Sequence, residues 1–441
     1  MLSFINNIVW GTPLLCLLLG TGMICSFRSG FFQIRCFPQI INSTFISLFK
    51  KNSYEKCHKS GSISQFQAVS ASLAAAMGTG NIAGVATAIT IGGAGAIFWM
   101  WISAIIGMSL VYAENYLGTV YRRYENGRWY GGPMAYLEHG AGKKQLAIIF
   151  AVCCTLASLG MGCMTQVNSI SLSLSGSFGI SPVAVGAIVI IVCAAVISGG
   201  IKRISSVTQI LIPFLSVIYI CAALFIIIRN AHNLPSVFSE IFSGAFGIRS
   251  AGGGISGAII SRSINAGLRR GVFSNEAGLG SSAVMHSSAD CTSPQKQGMW
   301  AIFEVFTDTI VCCTLTALVI LSTGAHKTGS DGVMLVTHAF SKELGGIAPI
   351  FISTAVSLFA FATIIGWFYC GECAVTYIFG SCSIPFYKFI FLISAFAGAV
   401  SGLEAVWTIS DIFNGLMAIP NLTGLLLLRK EIMLPADQDK V

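Results

Sequence analysis

Charge is what this 441-residue chain has least of. Only 10% of its residues are charged, against about 25% in an ordinary soluble domain, and a water-exposed globular surface cannot be built from so few. Clustered metal ligands are also missing. His58, His139, His232, His286, His326 and His338 are scattered, and no HExxH-like pattern forms, so a membrane metalloenzyme has no support. The 15 cysteines include the adjacent pairs Cys153–Cys154 and Cys312–Cys313 inside apolar runs, with no zinc-site spacing. They read as small, reduced, apolar side chains. No basic segment precedes the apolar stretch from Phe4 to Phe27, and no A-x-A site follows it. That stretch therefore reads as a retained helix and not a cleaved signal.

What is present is apolar. Hydrophobic residues make up 54% of the chain, and 48 glycines accompany them. The apolar residues fall into runs of roughly 20, long enough to cross a bilayer, and glycine is tolerated there because it lets helices approach closely. The runs lie near 4–26, 66–91, 97–120, 145–172, 181–199, 207–228, 270–289, 298–322, 347–378, 386–403 and 406–428. They predict an all-α polytopic membrane protein of about 11 spans, forming one domain over residues 1–441. Residues 253–268, ahead of the polar-interrupted seventh run, read as an amphipathic or re-entrant helix at the membrane edge. The formal charge of +8 is topological and does not point to a nucleic-acid partner. With the N-terminus outside, 18 of the 25 lysines and arginines fall inside, including Lys50, Lys51, Lys56 and Lys59, and seven outside, including Arg249. The positive-inside rule then favours N-out, C-in.

Two runs are interrupted. The second carries Gly78-Thr79-Gly80-Asn81 in its middle, and the seventh carries Ser274-Asn275-Glu276-Ala277-Gly278-Leu279-Gly280. Such residues disfavour a continuous helix. Backbone unwound inside a bilayer must line a cavity or hold a ligand. Setting the first run aside leaves ten, which split into a first repeat at 66–228 and a second at 253–428. Residues 1–65 precede them as helix and inner loop, and 429–441 follow as a cytoplasmic tail. Each interruption opens its repeat, and an odd number of spans per repeat inverts one against the other. That is the plan of a secondary transporter with its site at the midplane; close packing of small residues is the competing reading. The half-helix after a break aims partly positive amides at the centre, which suits a carboxylate. The carbonyls left free before it suit a cation or an ammonium group. A zwitterionic amino acid offers both charges.

The motifs carry a family resemblance. Gly78-Thr79-Gly80-Asn81-Ile82-Ala83-Gly84-Val85-Ala86-Thr87-Ala88-Ile89, Gly131-Gly132-Pro133-Met134, Arg270-Gly271-Val272-Phe273-Ser274-Asn275-Glu276-Ala277-Gly278-Leu279-Gly280-Ser281 and Asp411-Ile412-Phe413-Asn414-Gly415-Leu416-Met417-Ala418-Ile419-Pro420-Asn421 resemble the signatures of the alanine or glycine:cation symporter family over nearly the whole chain. Ala94 departs from the family's usual proline in a short turn. The resemblance implies a leucine-transporter-like inverted repeat. It implies uptake of alanine or glycine with sodium, or sometimes a proton, across a bacterial inner membrane, and no cofactor.

Site roles follow from that resemblance. Thr79 and Gly80 are expected to offer amides to the substrate carboxylate, with Asn81 and Asn275 as polar neighbours. Gln166 would hydrogen-bond the substrate, and Ile170, on the same helix face, would limit its side chain. Thr363 would give its hydroxyl to a sodium ion also held by the carbonyls of Ala74 and Met77, while Trp367 walls the side-chain pocket. Intramembrane acids are functional candidates; Glu276, Glu304 and Asp308 are the coupling candidates. Glu114 is expected to pair with Arg122 and Arg123 near the inner loop. The competing functions are an uncoupled permease, a proton-coupled one, and an amino-acid sensor that has lost transport.

Overall fold

The computed structural model describes residues 2–49, 63–125, 128–247, 255–291 and 293–435. Lys50, Lys51, Lys56, Lys59, Arg249 and residues 436–441 of the tail lie outside them, as do the first residues of the 253–268 segment.

The chain begins with α1 (Leu2–Val9) and α2 (Thr12–Arg28). The first interrupted pair follows, α3 (Gln65–Ala76) and α4 (Ala83–Gly92), then the unbroken α5 (Gly95–Val120). A two-stranded hairpin, Arg123–Glu125 against Arg128–Tyr130, closes that end of α5. Beyond it run α6 (Lys144–Phe178), α7 (Pro182–Ile197), α8 (Gly200–Arg229) and the short α9 (Leu234–Phe246). The second interrupted pair is α10 (Ile255–Asn275) and α11 (Ser281–Ser287). The chain ends with α12 (Pro294–Ser322), α13 (Gly332–Leu344), α14 (Ile347–Phe379), α15 (Ile384–Val400) and α16 (Leu403–Leu427).

Seven helices among the described residues are long and apolar enough to cross a membrane. The two interrupted pairs, α7 and α16 fall outside that criterion, the pairs because each half is short or polar. Large apolar side chains stand exposed on α7, α8 and α15, among them Ile191, Ile210 and Phe386, as a lipid-facing perimeter requires. The core is built around the interrupted pairs. α5 packs along α10, α11 and α12, while α14 packs along α6 and α3.

Local chemistry explains both breaks. α3 starts on a reciprocal capping box between Ser64 and Gln67, which satisfies two otherwise orphaned amides. It ends where Met77 turns (φ −75°, ψ 73°) and the Gly78 amide bonds back to Ala76 at 2.8 Å, an inverse γ-turn. A single 3₁₀ turn, Thr79–Asn81, bridges to α4. At the second break Glu276, Gly278 and Gly280 all take left-handed backbone, with φ of 57°, 87° and 78°. Glu276 is the unusual one, because a side chain in that region costs about 1–3 kcal/mol.

The seventh run needs correction. It is not a short span at 270–289 preceded by a separate surface helix, because α10 is continuous to Asn275 and breaks only afterwards. Its polarity comes from one face. Ser261, Arg262, Asn265 and Arg269 line an open cleft of about 370 Å³. On the opposite face Gly267 and Gly271 are pressed on α5, where a Cβ would come within 2.3 Å of the Ala96 carbonyl and 2.9 Å of Ser103 Oγ.

Arg269 and Arg270 both bind Asp411, in the third turn of α16, at 2.7 and 3.3 Å, and Arg270 lies over the ring of Trp407. Arg270 and Asp411 are almost fully buried. Removing one member of such a pair strands the other charge, at a cost of about 3–5 kcal/mol. Asp411→Ala is therefore expected to lower the melting temperature in detergent sharply, and Asp411→Asn less so. Equal melting of Asp411→Ala and wild type would show that the cluster is solvated and structurally idle.

Candidate functional site

The two breaks meet. A Cβ added at Gly80 would lie 3.2 Å from Ser274 Cα, so the 3₁₀ turn of the first break rests on the end of α10. A side chain there would press on the α10 backbone.

Around the first break, Thr363 on α14 donates its hydroxyl to the Ala74 carbonyl at 2.8 Å. That carbonyl is available because the Gly78 amide has turned to Ala76. Gln166 on α6 accepts from the Thr79 amide at 3.1 Å through Oε1 and donates to the Met161 carbonyl at 3.1 Å. Met161 lies in a π-helical turn, Gly160–Met164, and such wide turns recur at functional sites. Ile170 is buried one turn further along the same face. Ala74, Met77, Thr363 and Gln166 thus gather around one unwound segment. Asn168, by contrast, donates to the Gly398 and Ser401 carbonyls and ties α6 to α15.

Trp367, one turn beyond Thr363, is completely buried. Its Nε1 donates to Glu276 Oε1 at 2.7 Å, so it joins α14 to the second break, where Ser281 also donates to Glu276. Its Cβ would stand 2.3 Å from a Cβ placed on Gly162, which leaves the indole no slack.

The Asn81 side chain donates to Asp308 Oδ1 at 2.6 Å and to the Asp308 carbonyl at 3.0 Å. Ser274 and Thr309 donate to Asp308 Oδ2 at 2.8 and 2.7 Å. Asn275 donates to Thr309 Oγ1 at 3.2 Å and accepts from the Ala277 amide. Cys313 Sγ lies 3.3 Å from Ser274 Oγ. Thr79 Oγ1 and Asn81 Oδ1 are buried and have no hydrogen-bond partner among the described residues. Asp308 and Thr309 belong to a π-helical stretch of α12, Phe306–Cys313.

Glu114 corrects an expectation. It is buried mid-helix, away from Arg122 and Arg123, and accepts from Asn421 at 2.6 Å while facing the amides of Gly278 and Gly280. It thus faces backbone amides of the second break with a carboxyl group of the chain's own. Arg122 instead binds the carbonyls of Ala289 and Cys291 and stacks over Trp129. Glu304 Oε1 lies in hydrogen-bond contact with His286 Nε2 at 2.7 Å, and its Oε2 accepts from Ser72 at 2.8 Å. Ser72 and Ser282 also touch, at 3.2 Å. This knot ties α3 to α11 and α12.

Ser274, Thr309, Ser281 and Asn421 carry much of this geometry and are absent from the sequence-derived site. A polar residue inside an apolar run, such as Asn421, was the signal available for them.

On the side to which α4 leads, a cavity of about 850 Å³ is lined by Ala83, Thr87, Ser169, Arg270, Trp407 and Asp411. Ala83 and Ser169 bring it within a turn of Asn81 and Gln166.

Two interrupted helices in contact at the centre of a helical bundle, beneath a cavity on one side, define a secondary transporter of the leucine-transporter-like fold. MhsT, solved in complex with L-phenylalanine, aligns over 82% of this chain and 89% of its own at a TM-score of 0.57 and 15% identity. Residues 1–437 match the sodium:alanine symporter family, and the chain belongs to it. It is 42% identical over 440 residues to the sodium/alanine symporter AgcS of Methanococcus maripaludis, covering 97% of this chain and 94% of the relative. It is 37% identical over 429 residues to the probable sodium/glutamine symporter GlnT of Bacillus subtilis, covering 97% and 87%. The protein is thus an amino-acid:cation symporter of the membrane, and not an enzyme.

Proposed function

We propose that this protein imports a small neutral amino acid, alanine or glycine with serine and D-alanine as further candidates, together with sodium by alternating access. One observation carries the reading. The Thr363 hydroxyl sits on the Ala74 carbonyl freed by the first break, beside Met77, and Gln166 holds the amide of the same segment. Oxygen ligands for a hard cation and amides for a carboxylate therefore lie within one turn of each other. Thr79, Gly80, Asn81 and Asn275 supply the polar floor. Gln166, Ile170 and Trp367 bound the space for the side chain, and such crowding favours a substrate of alanine's size. AgcS supports alanine, while GlnT's name points to glutamine, so the choice within the family rests on this pocket.

Residues 66–228 and 253–428 serve as the two inverted repeats, with 1–65 before them and 429–441 after. The termini take the N-out, C-in orientation in a bacterial inner membrane. Arg28, Arg122 and Lys430 share one end of the bundle through the bond of Arg28 to the Lys430 carbonyl and that of Tyr121, beside Arg122, to Glu431, in keeping with the positive-inside count.

Coupling is required by size. Alanine has about six heavy atoms, and the best small ligands gain about 1.5 kcal/mol per atom. The ceiling of about 9 kcal/mol corresponds to roughly micromolar affinity, so a steep gradient must come from the ion.

The test is uptake of glycine, L-alanine, D-alanine and L-serine into proteoliposomes under imposed sodium or pH gradients. Alanine uptake indifferent to both would leave an uncoupled permease, and uptake driven by pH alone a proton symporter. Thr363→Ala should raise the sodium concentration for half-maximal uptake about tenfold, the loss of about 1.4 kcal/mol. Wild-type sodium dependence in that variant would remove Thr363 from the ion site.

A further inference from the structure

At the end of α16 away from Asp411, a cavity of about 240 Å³ is lined by Arg28 from the end of α2, Arg429 from just past α16, Gln33 and Phe32 from the short helix Phe32–Arg35, Tyr112 of α5 and Ile302 of α12. No aspartate or glutamate lines it. Among the described residues neither arginine pairs with a carboxylate. Arg28 donates to the Lys430 carbonyl at 3.5 Å and Arg429 to that of Leu426 at 2.6 Å. Glu431, the nearest acid in sequence, is taken by the Tyr121 hydroxyl. Most of each guanidinium fork is therefore open to a ligand, and that fork matches the oxygens of a phosphate.

Two further observations narrow the ligand. Gln33 is only 2% exposed, and its Nε2 is spent on Ser26 Oγ at 2.8 Å and the Ile105 carbonyl at 3.5 Å. Its Oε1 has no hydrogen-bond partner among the described residues. A buried acceptor left unmade carries its whole desolvation penalty, so the site asks for a donor beside the anion. An ammonium group would meet two guanidinium charges with no lining carboxylate to offset them, whereas a hydroxyl donates without charge. The second observation is apolar. Ile24 and Phe27 share the face of α2 that carries Arg28, and both are exposed, as is Ile34. A soluble anion has no use for such a strip, but acyl chains do. The cavity is smaller than the about 300–1,000 Å³ that encloses a drug-sized ligand, which suits a headgroup whose chains stay outside.

We propose that this cavity is a headgroup site for an anionic phospholipid of the phosphatidylglycerol type, with Arg28 and Arg429 on the phosphodiester and Gln33 Oε1 accepting from a glycerol hydroxyl. Its placement in the inner leaflet, where basic pockets between membrane helices meet anionic lipid, rests on the C-in orientation proposed above. Binding itself depends on neither that orientation nor the symport reading. The lipid joins the end of α2, which precedes both repeats, to the end of α16, the last helix of the second. It therefore braces the N-terminal helix against the bundle.

The experiment titrates the purified full chain, in neutral detergent micelles, with dioleoylphosphatidylglycerol and follows the rise in melting temperature to saturation. Phosphatidylcholine is expected to give no saturable rise. Phosphatidylethanol, which keeps the phosphodiester charge but has no headgroup hydroxyl, should bind about tenfold more weakly, the loss of one hydrogen bond to a buried acceptor. Glycerol 3-phosphate should not compete at millimolar concentration. Arg28→Gln and Arg429→Gln should each weaken phosphatidylglycerol at least about tenfold, the loss of a charge-assisted contact, while Lys202→Gln, an exposed basic residue at the start of α8, binds as wild type does. Both arginines are exposed, so the variants should melt as wild type does without lipid, and the wild-type comparisons stand even where a variant fails to fold. Equal effects of phosphatidylglycerol and phosphatidylcholine overturn the site. So does equal weakening by Lys202→Gln, which would mean diffuse surface charge. Competition by glycerol 3-phosphate as strong as the lipid's own binding overturns the lipid in favour of a soluble phosphate ester. Phosphatidylethanol binding as tightly as phosphatidylglycerol removes the Gln33 contact and with it the assignment to this headgroup.

Discussion

Gly78→Ala should give a membrane-inserted protein whose alanine uptake is reduced by about one to two orders of magnitude. The added methyl group would stand 2.4 Å from Thr363 Oγ1, 2.9 Å from Gln166 Oε1 and 3.1 Å from Thr363 Cβ. All three distances are inside van der Waals contact, and neither neighbour can retreat cheaply. Thr363 is fixed on the Ala74 carbonyl and Gln166 on the Thr79 amide. Overpacking of this kind costs about 1–3 kcal/mol, and every 1.4 kcal/mol is about tenfold in an equilibrium. The strain falls on the two side chains assigned to ion and substrate. The control is six residues on: at Gly84 the nearest atom to an added Cβ is 3.9 Å away, and Gly84→Ala should transport as wild type does. Uptake, membrane level and melting of the two variants are measured side by side. If Gly78→Ala keeps full activity, Thr363 and Gln166 are not held where substrate and ion require them.

Trp367→Phe should be nearly as severe, for a different reason. Phenylalanine fills most of the indole's space but has no N–H for Glu276 Oε1. Leaving that buried carboxyl oxygen without its donor costs about 1–3 kcal/mol, and the bond also helps hold Glu276 in left-handed backbone that a side chain otherwise avoids. The second break should loosen, with transport falling about 10- to 100-fold while the protein still folds. Trp367→Ala adds a cavity, worth about 3–5 kcal/mol when a large aromatic is removed. It should melt earlier, and where it still transports it should admit side chains larger than alanine's. Kinetics over alanine, leucine and phenylalanine, with melting in detergent, separate the two effects. Wild-type uptake and selectivity in both variants would show that Trp367 is only packing.

Both predictions rest on features that differ in how well the sequence displays them. The interruptions were legible because glycine and polar residues inside an apolar run have few structural uses other than a break. Thr363 and Gln166 were reachable through the helix each occupies. The N-terminal half of α10 was not, because Ser261, Arg262 and Asn265 give it the pattern of a surface helix. Only the packing of Gly267 and Gly271 on α5 reveals that its other face is core. Glu114 was misplaced for a similar reason. Its arginine neighbours in sequence are near at hand, whereas its partner Asn421 is 307 residues away. His286 looked like one scattered histidine among six until the fold put Glu304 against it. Side-chain partnerships across the bundle leave no periodic trace in the chain, and these were the parts that had to be seen.

The knot of Ser72, Ser282, His286 and Glu304 has a consequence for the direction of traffic. Ser72 belongs to the half-helix before the first break, and the others belong to α11 and α12, so α3 cannot swing outward at that end until those bonds part. If the carrier works by the alternating access proposed above, the rate of opening at that end is tied to how firmly this polar clasp holds. A looser one would discharge sooner, at the expense of leakage whenever the carrier runs empty.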